Sequence, residues 1–336
     1  MKPLVLLTTS AFATDLVLAP QHRSDLEADF EVVVVAGDDP LFDELLPRAF
    51  AVIGQPDLPA ERIRRAEQLQ VICNVEGNFF PNVDYAACSA RGIRVLSCGP
   101  VYAQPVAEYA LGLALDLARG ITKADRDFRA GRERYTHDGT SGSVLLRHAD
   151  IGIIGMGNLG RALLPLLRPF APRLRVYDPW LPARALAELD VEPVTLDELL
   201  SSSVFVFVLA AVTTENTRML DAPKLALIPS GGRLVLVSRA AAVDFDALSE
   251  RVAAGELTAA VDVWPEEPLP ADDPARGLDG LVLSAHRAGG IPSAFAQIGE
   301  MVVDDLRQVA AGLPPVRMQV AVPELATRYR NKPVDR

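Results

Sequence analysis

The sequence is short of several things, and each shortage removes a class of function. Cys73, Cys88 and Cys98 are its only cysteines, odd in number and without metal-ligand spacing. That excludes a disulfide framework and a cysteine-built metal centre. No metal site is expected, and reduced thiols in a cytoplasmic protein are. Positive charge is also short: 33 Lys and Arg face 44 Asp and Glu, for a net charge of −11. So acidic a surface repels phosphate backbones and anionic bilayers, so neither nucleic acid nor a membrane is expected as a partner. No apolar run is long enough to span a bilayer. The opening Leu4-Val5-Leu6-Leu7, with Ala11-Phe12-Ala13 after it, mimics a secretory signal. Thr8, Thr9 and Ser10 interrupt it, and a first β-strand is the better reading. Internal repeats and low-complexity tracts are absent.

What is present is apolar residue in quantity. The chain has 336 residues, 49% of them hydrophobic, enough to bury the cores of two domains. Short apolar runs at residues 4–8, 31–35, 51–53, 70–73 and 93–96 alternate with stretches of helical character at 25–29, 43–48, 60–68 and 83–91. A second series follows, with strands expected at 204–208, 233–237, 259–263 and 281–284, and helices at 182–188, 196–201 and 245–254. Strands alternating with helices predict parallel sheets covered on both faces. Gly99-Pro100 reads as a breaker and hinge. Residues 105–119 form a helix apolar nearly all round, which predicts burial on most sides. Residues 121–134 read as a charged, solvated helix. A last helix is expected at 292–311, before a proline-rich charged tail that is extended or partly ordered. The fold class predicted is α/β with two doubly wound parallel-sheet domains. One is a Rossmann domain over residues 100–291. The other, flavodoxin-like and substrate-binding, is discontinuous: 1–99 plus 292–336.

The stretch from Asp150 to Asp178 organises the second domain. An apolar run, Ile151-Gly152-Ile153-Ile154, leads into Gly155-Met156-Gly157-Asn158-Leu159-Gly160. A helical pattern and a second apolar segment ending in Asp178 follow. This is the order of a dinucleotide-binding fingerprint. Gly155 permits the tight turn, Gly157 lets backbone approach a pyrophosphate, and Gly160 lets the helix lie close on the sheet. The free N–H groups at the helix start suit phosphate oxygens. Asp178 would accept from the ribose hydroxyls. With Pro179 and Trp180 beside it, no cation awaits a 2′-phosphate, so the cofactor expected is NAD rather than NADP.

Three polar residues close the expected strands of the second series: Arg239 after 233–237, Glu267 after 259–263 and His286 after 281–284. The C-terminal strand ends of a parallel sheet share the edge on which the cofactor crevice lies. There His286 would move the hydroxyl proton of a 2-hydroxy acid as hydride transfers. Glu267, or its neighbour Glu266, would fix the imidazole tautomer. Arg239 would hold the substrate carboxylate through forked donors. Asp262 could accept from the nicotinamide carboxamide.

The chain resembles the D-isomer-specific 2-hydroxyacid dehydrogenase family, relatives of D-3-phosphoglycerate dehydrogenase, over nearly its whole length. The resemblance rests on Asn82-Val83-Asp84 with Arg91-Gly92-Ile93, Val106-Ala107-Glu108, the glycine turn with Asp178, Ser238-Arg239 with Val243-Asp244, Asp262-Val263-Trp264 with Glu267-Pro268-Leu269, and His286 with Gly289. It implies an Arg239–Glu267–His286 catalytic set and a mobile cleft between two domains. It selects Glu267 over Glu266, because Glu267 directly precedes the proline. Further cofactor contacts at Asn158, Leu159, Ala210, Val237 and Ser238, and a substrate loop at Val75, Glu76 and Gly77, are expected with it. So are a small 2-hydroxy or 2-keto acid as substrate and a homodimer. Four places depart from the family pattern. Ala240 stands for the usual glycine. The 209–212 loop lacks its proline. Arg287 adds a charge beside His286. The loop Val75-Glu76-Gly77-Asn78-Phe79-Phe80 carries two aromatics and a carboxylate, which suggests an unusual substrate. A competing reading from another class is an NAD(H)-sensing regulatory protein without turnover. A formate or phosphite dehydrogenase is a third.

Overall fold

The computed structural model describes residues 2–8 and 14–330. The Ala11-Phe12-Ala13 segment and the end of the tail, 331–336, lie outside the described residues. The chain divides into two compact units, Met1–Tyr102 with Gly290–Arg336, and Ala103–Gly289.

The first unit is built on β1 (Leu4–Leu7), β2 (Glu31–Val34), β3 (Ala49–Ile53), β4 (Val71–Asn74) and β5 (Arg94–Ser97), paired in parallel in the order β2-β1-β3-β4-β5. That is the flavodoxin-like order of a doubly wound sheet. Strands β1, β3 and β4 are buried along their whole length. This is why their sequences are continuous apolar runs rather than alternating ones. Helix Pro292–Ala310 lays Phe295, Ile298, Val302, Leu306 and Val309 into the core beside Val5, Leu7 and Cys73, the three- and four-residue steps of one helical face.

The tail beyond that helix is more ordered than its composition suggests. Asp305 is fully buried on the helix and accepts from the backbone N–H groups of Val316, Arg317 and Met318. The clamp folds the chain back, and Gln319–Val320 pairs antiparallel with β5 before a turn of helix at Pro323–Ala326. All three cysteines are buried and unpaired, and burial pushes the Cys98 thiol up to about 12.

The second unit carries β6 (Asp150–Ile154), β7 (Arg173–Tyr177), β8 (Glu192–Pro193), β9 (Phe205–Val208), β10 (Gly232–Leu236), β11 (Leu257–Val261) and β12 (Leu281–Leu283). Their spatial order is β8-β7-β6-β9-β10-β11-β12, all parallel. The order reverses between β6 and β9, and that switch point is where a doubly wound sheet opens a crevice at its C-terminal edge.

Helix Ala103–Arg119 buries Val106, Ala107, Ala110, Leu113, Ala114, Leu117 and Ala118 and packs on helix Asn158–Leu167. Leu111 and Leu115 stay half-exposed, so it is one-sided rather than buried on most sides. Its opposite side carries Gln104, Glu108, Gly112 and Arg119, all exposed. The next helix, Ile121–Arg129, ends earlier than expected, buries nothing, and is laced by Lys123–Asp127 and Arg129–Asp125 pairs. Among the described residues no helix is long and apolar enough to cross a membrane.

Candidate active site

The glycine turn follows β6 directly. Gly155 adopts φ +94°, and a Cβ there would stand 2.7 Å from the Ala210 Cα at the end of β9. Only glycine satisfies both the left-handed backbone and the contact across the switch point. A Cβ on Gly160 would stand 2.5 Å from the Gly155 carbonyl oxygen, so the helix start rests on the turn itself. Gly157 is the N-cap of helix Asn158–Leu167, and a Cβ there would meet nothing within 4 Å. Open space therefore faces the helix start that includes Asn158 and Leu159, as a pyrophosphate requires.

Asp178 follows β7 and reaches back. It accepts the Met156 N–H at 2.8 Å and the Trp180 N–H at 2.9 Å, one on each oxygen. Each oxygen keeps lone-pair capacity for a ribose hydroxyl. Asp178 thus also fixes the glycine turn, a role its position in the sequence does not reveal. On the far side of the switch point, Val237 and Ser238 are buried after β10, and the Ser238 hydroxyl has no partner among the described residues. An orphaned hydroxyl, an open helix N-terminus and a turn without side chains fit a dinucleotide.

Further along the same edge the ends of β10, β11 and β12 bring Arg239, Glu267 and His286 together. Nδ1 of His286 lies 2.7 Å from Oε2 of Glu267, whose Oε1 accepts the Trp264 N–H at 2.9 Å. Burial pushes the Glu267 carboxyl up, but His286, the Trp264 N–H and the charge of Arg239 outweigh it. The group is held below the usual carboxylate range. Glu266 is exposed, so the geometry distinguishes the two acids as the proline spacing does. Arg239 is half-buried, with Nη1 donating to the Ser238 carbonyl at 2.7 Å.

His286 holds φ +51°, a backbone region that costs a side-chain-bearing residue on the order of 1–3 kcal/mol and persists only where neighbours enforce it. Asp262 is the enforcer. Its carbonyl accepts the His286 N–H at 2.7 Å, and its carboxylate accepts the N–H groups of Arg287 at 2.9 Å and Ala288 at 3.0 Å. Asp262 is fully buried. Where the sequence suggests an acceptor for the carboxamide, the structure shows an acid engaged by its own chain. A buried carboxylate at a strand end takes the nearest N–H donors. Arg287 has an exposed side chain.

Val75, Glu76 and Gly77 belong to the first unit, in the loop after β4. Val75 is buried, Glu76 is half-exposed, and the Gly77 carbonyl accepts from the Ser97 hydroxyl. Phe79 and Phe80, read from the sequence as marks of an unusual substrate, are both buried. Phe79 packs edge-on to Tyr85 at 6.0 Å and against Tyr329, while the Tyr85 hydroxyl donates to the Phe80 carbonyl at 2.6 Å. The aromatics are core, because apolar rings gain more from the unit's interior than from a loop surface. Sequence reasoning gave no role to Trp264, Ser284 and Tyr109, whose hydrogen bonds meet beside the His286 segment. For Trp264 and Ser284 the available signal was a polar side chain just past a strand; Tyr109, inside a helix, gave none.

Residues 111–288 match the model of the D-isomer specific 2-hydroxyacid dehydrogenase NAD binding domain. The chain is 31% identical to a D-3-phosphoglycerate dehydrogenase of Archaeoglobus fulgidus over 82% of its length, but spans only 52% of that protein. It is 30% identical to a glyoxylate reductase of Korarchaeum cryptofilum, covering 77% of this chain and 78% of that one. Among solved structures, a phosphoglycerate oxidoreductase from Rhizobium etli is 43% identical with a TM-score of 0.85, covering 96% of this chain and 99% of that one.

Proposed function

The chain belongs to the D-isomer specific 2-hydroxyacid dehydrogenase family, and from that premise we propose that it transfers hydride between NAD(H) and a D-2-hydroxy acid or its 2-keto counterpart. The observation that carries the reading is the 2.7 Å contact between His286 and Glu267 on the sheet edge that also bears the glycine turn. When bound, NAD supplies or accepts the hydride. The cradle for it is the 155–160 turn with Asp178, Ala210 and Ser238.

The chain's own residues account for the rest. Glu267 accepts a hydrogen bond from Nδ1–H of His286 and so leaves Nε2 for the substrate. In the oxidation direction Nε2 accepts the hydroxyl proton. In the reduction direction it returns that proton to the carbonyl oxygen as the carbon accepts hydride. Arg239 supplies paired donors to the substrate carboxylate, which orients the reacting carbon. Val75, Glu76 and Gly77, in the loop after β4, are the substrate-binding candidates of the first unit.

A sensor that binds NAD(H) without turnover is the competing reading. The low-held Glu267 paired with His286 favours the enzyme, since binding alone needs no proton-transfer group. A cytoplasmic homodimer completes the proposal. The buried, unpaired cysteines and the exposed apolar residues Ile121 and Phe128 support it.

The test is NADH consumption with glyoxylate, hydroxypyruvate, pyruvate and phenylpyruvate. Turnover of at least one is expected, and His286→Ala lowers it by about two or more orders of magnitude while NADH still binds. NADH binding with no turnover on any of them would overturn the enzyme in favour of the sensor.

A further inference from the structure

The hydrogen bonds around Trp264 form a closed circuit. The Trp264 N–H donates to Glu267, and Glu267 meets the His286 ring. The His286 N–H donates to the Asp262 carbonyl, and the Asp262 carboxylate accepts the Ser284 hydroxyl at 2.5 Å. The Ser284 carbonyl accepts the indole N–H of Trp264 at 2.8 Å, which closes the ring. One more side chain joins from outside: the Tyr109 hydroxyl lies 2.7 Å from Ser284 Oγ.

The donor sense of that contact follows by elimination. Ser284 has one hydroxyl proton, and it is given to Asp262. Tyr109 must therefore donate to Ser284, and the chain runs Tyr109 to Ser284 to Asp262 without a spare proton. Tyr109 sits on helix Ala103–Arg119. We infer that Tyr109 is a positioning residue for the reaction: through Ser284 and Asp262 it fixes the His286 segment to helix Ala103–Arg119, so the imidazole is held in register with Glu267. The strained backbone of His286 gives this meaning. A left-handed non-glycine residue returns to ordinary φ when its clamp loosens, and the clamp is Asp262, whose Oδ1 depends on Ser284 for one of its two donors.

The inference rests on the hydride-transfer reading, and its test separates the two. Tyr109→Phe keeps the ring and removes only the hydroxyl. It lowers kcat about five- to tenfold with NADH affinity unchanged. With NADH deuterated at the transferred position, the isotope effect on kcat rises, because a mispositioned acid slows the chemical step; a smaller folded fraction would leave that ratio unmoved. Ser284→Ala gives the same signature, and the double variant is no slower than Ser284→Ala alone, since both act on one path. The chain has four histidines, and His286→Asn identifies the His286 ¹⁵N imidazole signal. In Tyr109→Phe that signal moves and the other three do not. An unmoved His286 signal, a wild-type isotope effect, or effects of the two substitutions that multiply would overturn the assignment. Should no keto acid be turned over, the hydride-transfer reading fails, while the imidazole signals still decide whether Tyr109 holds His286.

Discussion

Three carboxylates in the second unit do different work because their surroundings differ. Asp262 is fully buried and takes hydrogen bonds from its own loop, while Glu267 is half-buried, faces an imidazole and is held low. A depressed carboxyl contributes stability above its ordinary value of 4.5, and that contribution is lost as pH falls through the lower folded value. Glu267→Gln removes this acid-side loss. Thermal melts should therefore show the wild type ahead of the variant near neutrality and the gap closing below about pH 4.5. The same substitution removes the anion that faces the His286 ring, so kcat for keto-acid reduction falls. Wild-type kcat in Glu267→Gln would detach Glu267 from His286 in function. Asp178, the third, holds the Met156 N–H. On the reading proposed above it also accepts from a ribose hydroxyl, so Asp178→Ala is expected to weaken NADH binding about tenfold and narrow the preference over NADPH. An unchanged ratio of NADH to NADPH affinity would mean that the acid serves the turn alone.

At the scale of elements, the glycine turn and its helix behave as one piece. Gly160→Ala places a methyl 2.5 Å from the Gly155 carbonyl, backbone that cannot yield without shifting the helix start. Lower thermal stability and weaker NADH binding together are expected, read by melting and fluorescence titration. Gly112→Ala is the control. That glycine lies exposed inside helix Ala103–Arg119, and its new methyl would meet nothing within 4 Å. It should stabilise the fold by roughly 0.5–1 kcal/mol. A Gly160→Ala variant that melts and binds like the wild type would show that the helix can start one step away from the turn. These elements were legible in the sequence because turn, strand and helix each impose a residue type at a fixed place. Other features were not. Arg233, the second residue of β10, is a charged side chain in an apolar run, yet it is buried, with its guanidinium on the carbonyls of Leu117, Gly142 and Gly231. Phe79 and Phe80 read as loop and are core. Which way a side chain points depends on partners distant in sequence, and local pattern carries no record of them.

At the scale of the molecule, the alternation of apolar runs gave both parallel sheets, whereas the antiparallel edge strand Gln319–Val320 escaped notice because Asp305, not the strand's own residues, brings it to β5. Association is the remaining question at this scale. Ile121 and Phe128 lie seven residues apart on helix Ile121–Arg129, so they share a face, and they are 57% and 62% exposed. Tyr135 and Leu145, both 68% exposed, follow in the next loop. Each copy carries a net charge of −11, which opposes association at long range until salt screens it within about 10 Å at 0.1 M. Apolar contact at short range and repulsion at long range predict a homodimer that tightens as ionic strength rises. Light scattering across a dilution series should give twice the chain mass, with dissociation shifted to higher protein concentration in low salt. Phe128→Asp adds charge to that face and is expected to yield monomers that still bind NADH, since the glycine turn lies on other elements. Dimers that persist in Phe128→Asp, or that loosen with added salt, would place the interface elsewhere on the chain.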